Sequence, residues 1–197
     1  MMKYFYIIYV MILPALLSGC FSDISEKYLN DLKSENIRVR QTAVYNLGEA
    51  KEGKAVHLMI QLLKEEQTKQ IRLDIMAALV KINQGSFLGS LKDKWNKKET
   101  AIPKADPVKA LIEILNENNA ELQVAAINAL GQMAATDAIL PLISLLDKDD
   151  RQVKLAVLGA LGNIKDDVAV PKLTLLLNHQ DKYIRYNADR ALKKIGE

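Results

Sequence analysis

Few side chains in this 197-residue chain could do chemistry: one cysteine, two histidines and scattered carboxylates. Cys20 follows Leu17-Ser18-Gly19, so its thiol stands behind two small residues. A single cysteine forms no intramolecular disulfide, and together with two histidines it supplies too few ligands for a Cys/His metal cluster. His57 falls at an expected helix start and His179 in a turn near Asp181, neither with a second His or Cys at ligand spacing. No serine sits in a nucleophile elbow, and the glycines occur singly rather than in a phosphate-binding loop. Asp74 and Glu49 could be gathered into a paired-carboxylate site by the fold, yet carboxylates on helix surfaces are mostly solvated. The expectation is a protein that is not an enzyme, with no cofactor, no metal and no evident small-molecule substrate.

The elements that would position such residues are copies of one ten-residue frame. It reads LQVAAINALG at Leu122–Gly131 and recurs at Val39–Gly48, Ile71–Val80, Val153–Gly162 and Ile184–Lys193. The openings at 39, 71, 122, 153 and 184 are separated by 32, 51, 31 and 31 residues. A period repeated five times signals a stacked array, and the one long step signals an insertion. With 49% hydrophobic residues but 6% aromatic, the composition suits helices packed on small side chains better than a β-sandwich.

Each frame is preceded by a shorter apolar stripe ending in Leu-Leu or similar, and then by a polar turn: Lys64–Gln70, Asn116–Glu121, Asp147–Gln152 and Asn178–Tyr183. Each repeat is therefore a helix pair. Pro141 and Pro171 are expected at matching places in the first turn of the shorter helix, where no intrahelical N–H is lost. Asp137 and Asp167 are expected as caps there. Gly48 is expected to terminate its framed helix, the favoured place for glycine.

The N-terminus reads as an address. Lys3 is the only charge before Cys20, and residues 4–17 form an apolar run that is short for a membrane span but suits an export signal. Leu17-Ser18-Gly19-Cys20 resembles the bacterial lipobox. The resemblance implies a signal peptide at residues 1–19, diacylglycerol on Cys20, a lipidated tether at 20–24 and a solenoid from 25 to 197. Multiple acyl chains give stable membrane attachment. Phe21, rather than Asp, follows Cys20, which favours an outer-membrane over an inner-membrane destination in the bacterial cell envelope.

Residues 84–105 break the period. Gly85, Ser86, Gly89, Ser90 and Pro103 read as loop, although Phe87, Leu88, Leu91 and Trp95 could line one face of a short helix, and five Lys against one Asp and one Glu concentrate positive charge around Trp95. The segment is either a partner-touching loop or a linker or edge helix whose Trp95 packs back on the array. The column Arg40, Arg72, Lys154 and Arg185 is expected to pair with acids or carbonyls of neighbouring turns, with Leu122-Gln123 departing from its basic pattern. The overall charge of +3 is too mild to argue for a nucleic-acid partner.

The turn acids Asp149, Asp150 and Asp181, the Val-Arg or equivalent after them, the central Ala and the closing Leu-Gly together resemble HEAT repeats, in the short form related to phycobilin-lyase HEAT-like repeats. This implies an all-α, right-handed α-solenoid of about five helix pairs, with the framed helices on the concave side. Residues left facing that side are candidates for binding a protein partner: Tyr45, Asp74, Asn128, Gln132, Asn163, Asn187 and Arg190, with Trp95 from the insertion. The expected function is a lipid-anchored envelope scaffold or adaptor. Its rivals are a chromophore-lyase-like or chaperone-like HEAT-repeat enzyme and a HEAT-like nucleic-acid-binding protein.

Overall fold

A computed structural model describes residues 24–93 and 106–197. Leu17, Ser18, Gly19, Cys20, Trp95 and Pro103 therefore lie outside the described residues. All regular structure among those described is helical. Helix α1 covers 24–31, followed by α2 (Ile37–Glu49), α3 (Ala55–Glu65), α4 (Lys69–Asp93), α5 (Pro107–Ile114) and α6 (Ala120–Gln132). Then come α7 (Ile139–Leu145), α8 (Arg151–Ile164), α9 (Val170–Leu176) and α10 (Lys182–Ile195), with short 3-10 turns leading into α7 and α9. These make five helix pairs, the solenoid expected from the frame. None of these helices is long and apolar enough to cross a membrane.

Side-chain caps start most framed helices. Asn36, Asn119, Asp150 and Asp181 each accept a backbone N–H of the first turn, contacts worth about 1 kcal/mol each. Three sequence expectations need correction here. Asp166, not Asp167, caps the turn before α9, and no side chain caps the turn before α7. Pro171 is the second residue of α9 while Pro141 is the third of α7, so the prolines are offset by one. The place that truly recurs is a buried alanine, Ala55, Ala138 and Ala169.

Gly48 does not end its helix either. The left-handed residues after α2, α6 and α8 are Lys51, Ala134 and Lys165, with φ of 52°, 49° and 59°. Gly48, Gly131 and Gly162 sit inside the helices, where their missing side chains let the next framed helix approach. A Cβ on Gly131 would lie 2.7 Å from Cα of Ala160; one on Gly48 would lie 2.8 Å from Cβ of Ala78; one on Gly162 would lie 3.0 Å from Cα of Ala191. Such backbone-level contacts fix the helix spacing at these joints.

The frame place of those left-handed residues falls at Asn83 in α4, where the chain stays helical. Helix α4 therefore has 25 residues, against 13 or 14 for the other framed helices. Gly85, Ser86, Gly89 and Ser90, read as loop, are helical, the alternative that Phe87, Leu88 and Leu91 left open. Isolated glycines cost a helix about 1 kcal/mol each but leave the i→i−4 bonds in place, which only proline removes.

Consecutive framed helices pack on one another in an unbroken row, α2–α4–α6–α8–α10, whereas the shorter helices mainly touch their pair partners. The closely packed row is the one expected on the inside of a solenoid's curve. Between the rows runs one apolar core that includes Leu47, Met59, Leu63, Ile71, Leu111, Ile127, Leu142, Leu158 and Leu173, each burial worth about 1.5–3 kcal/mol.

Candidate binding groove

The basic column turns out to hold the turns together. Arg40 donates through Nη1 to the carbonyls of Ser34 and Glu35 and through Nε to Glu66 at 2.8 Å. Arg72 repeats this one helix pair later, donating to the Leu63 carbonyl and forming a two-pronged pair with Glu117. Arg185 donates to the carbonyls of His179 and Gln180. Gln123, the departure from the basic pattern, keeps the turn-binding half of this role without charge, its amide donating to the Leu115 and Glu117 carbonyls of its own turn at 3.0 and 2.8 Å. The acids that pair with the column are Glu66 and Glu117. Of the acids expected in that role, Asp150 and Asp181 are N-caps, since a short carboxylate at a helix start is already engaged by first-turn N–H groups. At the following joints the place of those glutamates holds Lys148 and His179.

Glu66 is nearly enclosed, its side chain 4% exposed. Burial pushes its carboxyl up, but hydrogen bonds from Thr68 and the Arg40 guanidinium outweigh that and hold it below the ordinary glutamate range.

Lys154, the remaining member, makes no side-chain hydrogen bond or ion pair among the described residues; with the three arginines absorbed by structure, the inner face carries what remains. Tyr45 (α2), Asp74 (α4) and Asn128 and Gln132 (α6) are brought together along one groove. Between α2 and α4 it holds a pocket of about 480 Å³ walled by Gln41, Thr42, Tyr45, Asp74, Ala77 and Lys81. Between α4 and α6 it continues as a pocket of about 390 Å³ that includes Ala77, Lys81, Gln84, Asn128 and Gln132. Ala77 and Lys81 belong to both. The small residue at Ala77 is what leaves the floor low between them.

Asp74 and Glu49 do not form a paired-carboxylate site. Asp74 accepts from Gln41 at 2.7 Å and Gln70 at 2.9 Å, whereas Glu49 pairs with Lys81. The Glu49 hydrogen bond holds the Lys81 ammonium above the ordinary lysine range, and Lys81 also lies 5.5 Å from the Tyr45 ring centre. Sequence reasoning missed Gln41 and Gln70; only Gln70 left a signal, four residues before Asp74 on one helix face.

The other candidates are separate from these two pockets. Asn163 accepts from Lys194 at 2.8 Å, bridging α8 and α10. Asn187 donates to the Tyr183 carbonyl of its own helix. Arg190 lies over Tyr186, 5.8 Å from the ring centre. The C-terminal end of the inner face is thus largely self-paired.

The fold and groove define an α-solenoid of HEAT-like helix pairs. Residues 108–197, the regularly spaced helices α5 to α10, match the family model for HEAT repeats. Among solved structures the chain is similar to the complex of CpcE and CpcF of phycocyanin lyase from Nostoc sp. PCC7120. The TM-score is 0.64, with 24% identity, covering 87% of this chain and 64% of that one. Two engineered proteins are also similar, with TM-scores of 0.59 and 0.57 and identities of 23% and 22%. They are matched over 87% and 88% of this chain and over 78% and 48% of their own. At these identities the likeness is one of fold, and the chain spans a little under two thirds of the lyase chain. No curated protein matches the chain in sequence.

Proposed function

We propose that the chain is a non-catalytic scaffold that binds an extended segment of a protein partner along the groove of α2, α4 and α6, held at the bacterial envelope by lipid on Cys20. The observation that supports this reading most is the continuity of the two pockets from Tyr45 to Gln132 through Ala77 and Lys81. Inner faces of solenoids are extended surfaces suited to peptides. In the groove, the exposed amides of Asn128 and Gln132 are placed to meet a peptide backbone. An outer-membrane location follows from Phe21 after Cys20 and belongs to the same proposal.

Photo-crosslinking residues at Ala77 and Asn128 are expected to trap one partner in the native envelope, whereas one at Leu140, exposed on a short helix, is not. Equal trapping at Leu140 would overturn the groove assignment. Cys20→Ala is expected to abolish acyl labelling and release the chain from membranes; unchanged labelling and retention would overturn the anchor.

A further inference from the structure

Asp74 is the groove's unbalanced charge. Its carboxylate is half-buried and held by two neutral amides, Gln41 and Gln70. Amide donors orient a carboxylate without cancelling its charge. Of the charged residues that line the pocket between α2 and α4, Lys81 is paired with Glu49 and Asp74 has no ion-pair partner among the described residues. Beside it stands Tyr45, whose side chain is largely exposed.

A carboxylate offers about four lone-pair sites, and two of these are taken. What fits the remainder is a cation with several donors. A guanidinium meets this demand, since its planar fork pairs with carboxylates through two parallel N–H donors. An anionic group would face Asp74 unscreened. The Lys81 ammonium is engaged elsewhere on the pocket wall, paired with Glu49 and 5.5 Å from the Tyr45 ring centre. At about 480 Å³ the pocket holds an arginine side chain together with part of the backbone that carries it. The pocket between α4 and α6 is one helix spacing away, about 8–10 Å, which an extended chain covers in about three residues.

We propose that the pocket between α2 and α4 takes an arginine side chain of the bound segment, with Asp74 as counter-ion. Asn128 and Gln132 then engage the backbone about three residues away. This inference rests on the groove being a protein-binding site.

The test is selection of a random dodecapeptide display library on the full chain in detergent, followed by affinity measurements on the synthetic peptides that emerge. The expected result is enrichment of arginine. Replacing that arginine by citrulline, its neutral isostere, should weaken binding at least tenfold. Asp74→Asn, whose oxygen keeps one glutamine donor and whose NH2 can donate to the other glutamine once that amide flips, should weaken the arginine peptide equally and leave the citrulline peptide unchanged, with thermal unfolding confirming an intact fold. Selected peptides that lose affinity on Asn128→Arg but lack arginine, or that ignore Asp74→Asn, would overturn the arginine pocket and leave the groove standing. Peptides indifferent to both Asn128→Arg and Asp74→Asn, or no enrichment at all, would overturn both.

Discussion

At the α6–α8 joint Gly131 admits the Ala160 backbone, and the column residue is neutral Gln123. At the α4–α6 joint the same frame place holds Val80, opposite Ala129, and the column residue Arg72 grips Glu117. One joint is set by close backbone approach and the other by branched side-chain volume plus an ion pair. The second is also the joint interrupted by the insertion, and a pocket lined by Val80, Ala129, Asn128 and Gln132 opens there. The α2–α4 joint keeps its glycine at Gly48 and also lines a pocket, so the Val80 joint extends the groove rather than creating it.

Exchanging the residues that set these joints tests the contrast. Val80→Gly gives α4 the frame's usual glycine but empties a buried site. It is expected to cost about 3 kcal/mol from lost methyl burial and poorer helix propensity, read from urea unfolding. Stabilisation instead would mean that α4 and α6 can close like the other joints. Gly131→Ala is expected to cost about 1–2 kcal/mol, because the new methyl meets backbone that cannot move alone. Gly159→Ala has open space around the added carbon and is expected to stabilise by about 0.5–1 kcal/mol. Equal effects from the two glycine changes would remove close approach as the explanation.

The smallest expected effect concerns charge. The Glu66 carboxyl is held below its ordinary value of 4.5, so the unfolded chain binds that proton more readily than the fold does. Its contribution is complete above that value and is lost as pH falls through the lower, folded one. Hydrogen exchange at the α2–α4 joint should therefore rise below about pH 4.5 more than at the α6–α8 joint, where Gln123 stands in for arginine. Glu66→Gln should erase that difference.

The helix pairs, their count and the core face were legible because burial forces apolar residues to recur at helical spacing, and five copies share one register. The role of Gly48, Gly131 and Gly162 was not. A glycine one or two residues before a helix end fits both a terminator and a close contact, and only the distance to Ala78, Ala160 or Ala191 separates the two. Tyr45, Asp74, Asn128 and Gln132 were visible as residues left over from packing. Their grouping, and the self-pairing of Asn163, Asn187 and Arg190, depended on partners contributed by other residues.

By itself the sequence determined which faces are buried, where the turns fall and where the period breaks, all set by neighbours within a few residues along the chain. The tertiary structure alone decided that Gln123 can replace an arginine, that Glu66 and Glu117 rather than the turn aspartates latch the column, and that Asp74 is left with amides and no cation. The latching by Glu66 and Glu117 and the hold of Gln41 on Asp74 depend on atoms 26 to 45 residues apart meeting within about 3 Å, a distance that periodicity does not encode; the role of Gln123 depends on how the turn 6 to 8 residues before it closes back on the helix.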